Sequence, residues 1–253
     1  MDMQLIPAIE WLGSVGSTNE EAMLRARRGQ RGPLWIAAEE QTAGRGRSGR
    51  NWVSRPGNLY ASLLLTFSRP LATVPQLSLV AGLAAHEAIS RLAPNLPFRL
   101  KWPNDVLVEG AQVCGILIEG RMNPQSTAHN VVVGIGVNLA HHPDVAGRPA
   151  TSLAAFGVPA GPRLALSRLS AAFEHWRKVW DEGEGMPAIR EAWLERALAI
   201  GLAVSVNTGP ERIEGRFQGL DADGAMLLGL PSGDQRRITF GDVHIAAPPG
   251  AST

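Results

Sequence analysis

Residues 41–52 read QTAGRGRSGRNW, setting Gly44, Gly46 and Gly49 among Arg45, Arg47 and Arg50 and closing on Trp52. Glycines at this density weaken a helix or a strand. What remains is a loop whose backbone N–H groups can approach an anion and whose guanidinium forks match carboxylate and phosphate oxygens. A solvated basic loop or a nucleic-acid arm is the competing reading of this run taken alone. Two more polar clusters break apolar stretches: Lys101, Asn104 and Asp105 in KWPND, and Asn138 after GIGV. A strand end has no structural use for Lys101, Asn104 and Asp105 unless they are paired or bind something. Pro103 fixes the backbone just before Asn104. These cations could neutralise a triphosphate, Asp105 could coordinate its Mg²⁺ directly or through water, and Trp52 or Trp102 could stack on a base. Asn104 and Asp105 also read as a plain turn, Lys101 as a surface strand end, and Asp105 as an ion-pair partner. Jointly the clusters favour a nucleotide site. There is no GxxxxGK[ST], and the Gly/Arg loop is no dinucleotide fingerprint, so neither common nucleotide fold is supported.

Composition narrows the partners. The chain has 253 residues, 45% of them apolar, enough for one sizeable core and a small second one. With 24 basic against 23 acidic residues the formal charge is +1, which argues against a general nucleic-acid binder. The basic signal is local, at Arg45, Arg47, Arg50 and Arg55, and suits a small anionic ligand. One cysteine, Cys114, excludes an internal disulfide. No secretory signal or long apolar run is visible, so a cytoplasmic protein without a membrane span is expected.

The clusters must be positioned by regular elements. Residues 5–13 are a short apolar opening. Ser17 with Glu20, or Thr18 with Glu21, has the pattern of a capping box for a helix running to about Arg28 and stopping at Gly29. Strands are expected at 34–38, 58–67, 98–102, 106–108, 112–119 and 130–139, with a hairpin turn at 109–111 and Pro70 and Pro75 bracketing another turn. Gly134 and Gly136 inside a strand suggest close approach of a ligand or another backbone. Leu77, Val80, Ala81, Ala84, Ala88 and Leu92 mark a helix across the sheet. Leu166, Leu169, Phe173, Trp176 and Trp180 mark a second, with their face in the core, and Ile189, Trp193 and Leu194 a third. From about Gly201 short strands alternate with Gly/Pro/Asp turns, the texture of a small β-barrel or sandwich.

In order along the chain, Ser17-Thr18-Asn19, GRGRSGRNW (44–52), KWPNDVL (101–107), CGILIE (114–119), GIGVN (134–138) and Thr151-Ser152-Leu153 resemble the biotin–protein ligases, also called biotin–[acetyl-CoA-carboxylase] ligases. The tail pattern from Gly215 through Gly219 to 224–228 agrees. The resemblance implies an α+β fold: a mixed-sheet catalytic domain of the biotin/lipoate ligase type over residues 1–200, then a small SH3-like β-barrel over 201–253. It implies attack of biotin's carboxylate on the α-phosphate of ATP, with Mg²⁺, to give biotinyl-5′-AMP and pyrophosphate. A lysine of a biotin carboxyl carrier protein or domain then takes the biotinyl group and AMP leaves. By the same resemblance Ser17, Thr18 and Gln41 meet the ureido head, and Gly44 and Arg45 line the biotin side. Gln112, Gly115 and Ile116 flank the biotin tail. Arg47, Arg50, Trp52, Lys101, Asn104 and Asn138 lie on the nucleotide side. Arg45, Arg47, Lys101 and Asp105 carry the catalysis, with Asp105 serving the metal–phosphate region or orienting the basic groups.

One position departs from the family. A lysine is common two residues before the place of Cys114, and here it is Gln112, which donates a hydrogen bond but brings no charge. Either Lys101 and the arginines suffice, or adenylation is impaired, or the acid differs from biotin. The pattern begins near residue 16, so a ligase with no DNA-binding domain and no repressor activity is expected; a homodimer is left open. The competing functions are a lipoate or octanoate ligase or transferase of the same fold, a non-catalytic biotin- or nucleotide-binding regulator, and, more distantly, an RNA-binding protein.

Overall fold

A computed structural model describes residues 7–67, 71–121 and 129–246. Leu5 and Ile6 of the apolar opening and Pro70 of the bracketed turn lie outside the described residues. The larger sheet has seven strands: β1 (Ala8–Val15), β2 (Leu34–Gln41), β3 (Leu59–Phe67), β4 (Phe98–Lys101), β5 (Asp105–Val108), β6 (Ala111–Arg121) and β7 (His129–Val137). Their order is β1-β2-β3-β7-β6-β5-β4. Only β1 and β2 are parallel; the other neighbours are antiparallel. The hairpin joining β5 to β6 turns at Glu109 and Gly110, whose φ values of 51° and 79° are those of a two-residue turn matched to strand twist.

The apolar runs in β2 and β3 fail to alternate because both faces of these strands are covered. Leu34, Ile36 and Leu64 pack with Val132 and with Ala22 of helix α1 (Thr18–Arg27). Trp35, Ala37, Leu63 and Leu65 face the opposite way, into the main core. There helices α2 (Leu77–Leu92), α3 (Pro162–Trp180) and α4 (Met186–Arg196) cover the sheet. Phe173 of α3 meets Trp35 edge-on, with ring centroids 6.0 Å apart, so the expected aromatic face of α3 is core.

The start of α1 differs from the expected capping box. Ser17 is the N-cap residue but makes no side-chain cap bond. The Thr18 N–H is instead satisfied by Gln41 Oε1 at 2.8 Å, from the end of β2. Glu20 and Glu21 are drawn off into ion pairs with Arg45 and Arg25. A tertiary acceptor has replaced the local one, and it ties α1 to the strand that leads into the Gly/Arg loop.

Strands β8 (Ala203–Asn207), β9 (Arg212–Leu220), β10 (Met226–Gly229), β11 (Gln235–Ile238) and β12 (Asp242–Ile245) form a second sheet, antiparallel throughout, in the order β11-β10-β9-β8-β12. This is consistent with an SH3-like module. It shares the main core: Trp193 of α4 meets Phe217 at 6.4 Å, and Trp102 Nε1 donates to Gly224 O at 3.1 Å. No helix among the described residues is long and apolar enough to cross a membrane.

Candidate active site

The face of the large sheet that carries α1 is only partly covered by it. Beyond α1, residues of one strand parity line that face: Tyr60 and Ser62 on β3, Gly134 and Gly136 on β7, Gly115 and Leu117 on β6. The glycines of this face leave a cavity of about 340 Å³, roofed by the Gly/Arg loop and walled at its far end by β12. Of the residues singled out from sequence, Ser17, Thr18, Gln41, Arg45, Arg47, Arg50, Trp52, Lys101, Asn104, Asp105, Gln112, Gly115, Ile116 and Asn138 line it. Gly44 does not. A Cβ there would lie 2.5 Å from Trp52 O and 2.6 Å from Ser54 Oγ, so Gly44 serves the fold of the loop.

The β2–β3 end is neutral and rich in hydrogen-bonding groups. Gln41 Oε1 also accepts from Thr18 Oγ1 at 3.0 Å, and Gln41 Nε2 donates to Ser54 Oγ at 2.9 Å. The Ser62 hydroxyl lies 2.8 Å from Thr18 Oγ1 and 2.6 Å from Asn19 Oδ1, and Asn19 Nδ2 donates to Glu119 at 2.7 Å. Asn19 and Ser62 were not singled out as site residues. A serine within the apolar run ASLLL was the available signal for Ser62.

The β5–β4 end carries the charges. Lys101 Nζ pairs with Asp105 Oδ2 at 2.8 Å and donates to Val243 O at 3.1 Å. Gln112 Nε2 donates to the other Asp105 oxygen at 2.6 Å. Asp105 is thus engaged on both oxygens. Among the described residues no cluster of His, Cys, Asp or Glu could hold a metal by itself. A Mg²⁺ that arrives on a triphosphate fits this donor set, because Mg²⁺ commonly takes one or two carboxylates and keeps phosphate and water ligands. Asn104 is held by Ile116: its Nδ2 donates to Ile116 O at 2.8 Å, and Ile116 N–H returns a bond to Asn104 O at 3.0 Å. Ile116 therefore offers the cavity its backbone, while its side chain lies in the core on the other face. Asn138 is buried, its N–H bonded to Val113 O at 2.8 Å.

The Gly/Arg loop is not loose coil. Gly46 N–H reaches Arg50 O at 2.7 Å, and Trp52 N–H reaches Gly44 O at 2.9 Å. Arg45 pairs with Glu20 at 2.6 Å, and Arg47 Nη1 donates to Asn104 Oδ1 at 3.2 Å. Burial lowers the pKa of Arg47, partly countered by Asp242 and Asp105, and the group stays charged at physiological pH. Arg50 makes a bidentate pair with Asp242 of β12, at 2.8 and 3.0 Å. Trp52 lays its indole on the glycine floor: a Cβ on Gly115 or Gly136 would fall 2.8 or 2.6 Å from the ring. Its Nε1 is buried without a partner among the described residues. Trp102, the alternative stacking ring, borders the cavity but is buried in the core, its Nε1 bonded to Gly224 O.

An α+β sheet carrying a cavity with a neutral polar end, a glycine floor and a cationic end matches one class of protein. Residues 14–138 match the Biotin/lipoate A/B protein ligase family, and residues 199–245 match the Biotin protein ligase C terminal domain. The chain is 39% identical over 231 residues to a biotin–[acetyl-CoA-carboxylase] ligase of Paracoccus denitrificans, covering 88% of this chain and 95% of that one. It is 32% identical to that of Mycobacterium tuberculosis, over 93% of this chain and 88% of the relative. The solved biotin protein ligase from Aquifex aeolicus in complex with biotin and ATP superposes with a TM-score of 0.78 at 29% identity, covering 94% of this chain and 98% of that one. The chain belongs to the biotin protein ligase family.

Proposed function

We propose that this chain biotinylates a lysine of a biotin carboxyl carrier protein at the expense of ATP, in the two steps that the family resemblance implies. The observation that carries this reading is the polarity of one continuous cavity. Its neutral hydrogen-bonding end suits the uncharged ureido ring of biotin, and its cationic end suits a carboxylate and a triphosphate. The relatives' names and the solved complex with biotin and ATP support it.

In the first step a biotin carboxylate oxygen attacks the α-phosphorus, and pyrophosphate leaves with the bridging electron pair. Thr18 and Gln41, with Asn19 and Ser62 behind them, orient the ring. Gly115 and the Ile116 backbone bound the tail. Arg47, Arg50 and Lys101 offset the repulsion between the two anions and stabilise charge on the phosphoryl oxygens. Asn104 holds Arg47 in place, and Asp105 holds Lys101. When bound, Mg²⁺ adds charge neutralisation on the phosphates. In the second step a neutral lysine amine of the carrier attacks the acyl carbon, AMP departs and the amine proton passes to solvent. Residues 1–200 supply the chemistry, while the module from 201 closes the cavity through Asp242 and Val243.

One observation favours a second reading. Lys101, Asp105 and Gln112 sum to no net charge where the acid carboxylate and α-phosphate would meet. This keeps a different acid substrate or a binding-only regulator in play. Biotin-dependent ATP–pyrophosphate exchange, with lipoate and octanoate in parallel, separates them. Exchange with biotin is expected. Exchange with another acid alone would overturn the substrate, and no exchange with any acid would leave the regulator.

A further inference from the structure

Among the described residues five Lys and Arg side chains line the cavity: Arg45, Arg47, Arg50, Lys101 and Arg148. Three are already offset by carboxylates, Arg45 by Glu20, Arg50 by Asp242 and Lys101 by Asp105. Arg47 has a neutral side-chain partner, Asn104. Arg148 makes no ion pair or side-chain hydrogen bond with any described residue. It stands in the long connection after β7, and the two readings above give it no role.

The backbone sets Arg148 beside the one position that departs from the family. Gln112 N–H donates to Pro149 O at 2.8 Å, and Thr151 N–H donates to Gln112 O at 2.9 Å. Ala150 is the parallel bridge partner of Gln112. Residues 149–151 therefore make a single parallel bridge to the start of β6, and Arg148, just before them, lines the cavity. The Gln112 side chain is uncharged, and its amide is spent on Asp105. Arg148 also acts electrostatically on the β12 rim: His244 has a lowered pKa through burial, then through Lys101 and Arg148.

We infer that Arg148 is a phosphate-binding residue, its guanidinium turning onto the nucleotide phosphate beside Gln112 and supplying there the positive charge that Gln112 lacks. This rests on the proposed adenylating function. A guanidinium with no side-chain partner among the described residues gives up no ion pair with them on meeting an anion, unlike Arg45, Arg50 or Lys101. Its bond to phosphate is charge-assisted and can be bidentate.

The test compares wild type, Arg148→Gln, Arg148→Lys and the double variant Arg148→Gln/Gln112→Lys as full chains. The readouts are equilibrium ATP–Mg²⁺ titration, biotin titration without nucleotide, biotin-dependent exchange and thermal midpoint. Arg148→Gln should weaken ATP binding or the kcat/KM for ATP about tenfold or more, as expected for losing one hydrogen bond to a charged group. Biotin affinity and the thermal midpoint should stay at the wild-type values. Arg148→Lys should recover part of the loss, and Gln112→Lys in the Arg148→Gln background should recover most of it. Wild-type behaviour of Arg148→Gln in both ATP readouts would overturn the inference. So would a loss that neither lysine variant relieves. If wild type shows no exchange with any acid, the function fails, while the ATP titration still decides for or against Arg148.

Discussion

The indole of Trp52 lies against the backbone of Gly136, with Nε1 and Cε2 each 2.6 Å from where a Cβ on that glycine would be. Gly136 is paired across the ladder with Gly115, so the ring rests on a floor two strands wide. In the proposed function a bound acid would occupy the same floor, and the indole N–H finds no hydrogen-bond partner there among the described residues. Biotin binding should therefore move Trp52. A change in tryptophan emission on adding biotin, absent in Trp52→Phe, is the expected outcome. The control matters because the chain has seven tryptophans.

Gly136→Ala should weaken biotin binding. The added methyl must push out either the indole or the ligand, and overpacking of this kind costs about 1–3 kcal/mol, or roughly tenfold to a hundredfold in affinity. Calorimetric titration would read it. Affinity equal to wild type would show that the floor is not where the acid lies.

Arg47→Ala should reduce biotin-dependent exchange by about a hundredfold, the typical effect of removing one donor that stabilises transition-state charge. The melting temperature should hardly change, because Arg47 gives up one hydrogen bond to a neutral side chain. A parallel loss of rate and stability would make its role structural.

Gly224→Ala should destabilise the whole protein. Gly224 sits at φ +90°, and a Cβ would lie 2.6 Å from Leu79 Cδ1 and 3.1 Å from Met186 Cε. Left-handed strain and overpacking together should cost about 2 kcal/mol. Urea unfolding should still show one transition, since the C-terminal module shares the core. Separate melting of that module would contradict this.

Stability should fall on mild acidification through His86. Burial lowers its pKa, opposed by its backbone contact with Phe98 O and aided by Arg196 and Arg99. A depressed folded pKa means that the unfolded chain binds the proton first as pH drops. The contribution is therefore complete above the unfolded value, about 6.5, and is lost as pH falls towards the folded value. The thermal midpoint should decline in that window, and less steeply in His86→Gln.

The elements were legible because their signals are local. Apolar, β-branched runs marked most strands and period-3.6 patterns the helices, Glu109-Gly110 marked the hairpin turn, and β1 had shown only as an apolar opening. The glycines and arginines of 44–52 were legible as a ligand loop because such a run serves no packed element. Trp52 and Trp102, by contrast, were equivalent stacking rings on residue chemistry alone, and only the family resemblance singled out Trp52. Burial against the C-terminal module makes Trp102 a core residue, and only Trp52 reaches the glycine floor. The capping box was misread because its glutamates had better partners elsewhere in the fold.

What the sequence alone determined was the set of chemical groups, the strands and helices that carry them, and the family. The tertiary structure decided which groups meet. Asp242 on Arg50, Gln41 on Thr18, Asn19 on Glu119 and Val243 O on Lys101 each join residues at least 23 positions apart. No local pattern encodes such pairs, because a charge or an amide carries no mark of its partner. Strand order brings residues from β2, β3, β7, β6, β5 and β4 onto one sheet, and the shared burial of two sheets presses β12 onto the cavity rim.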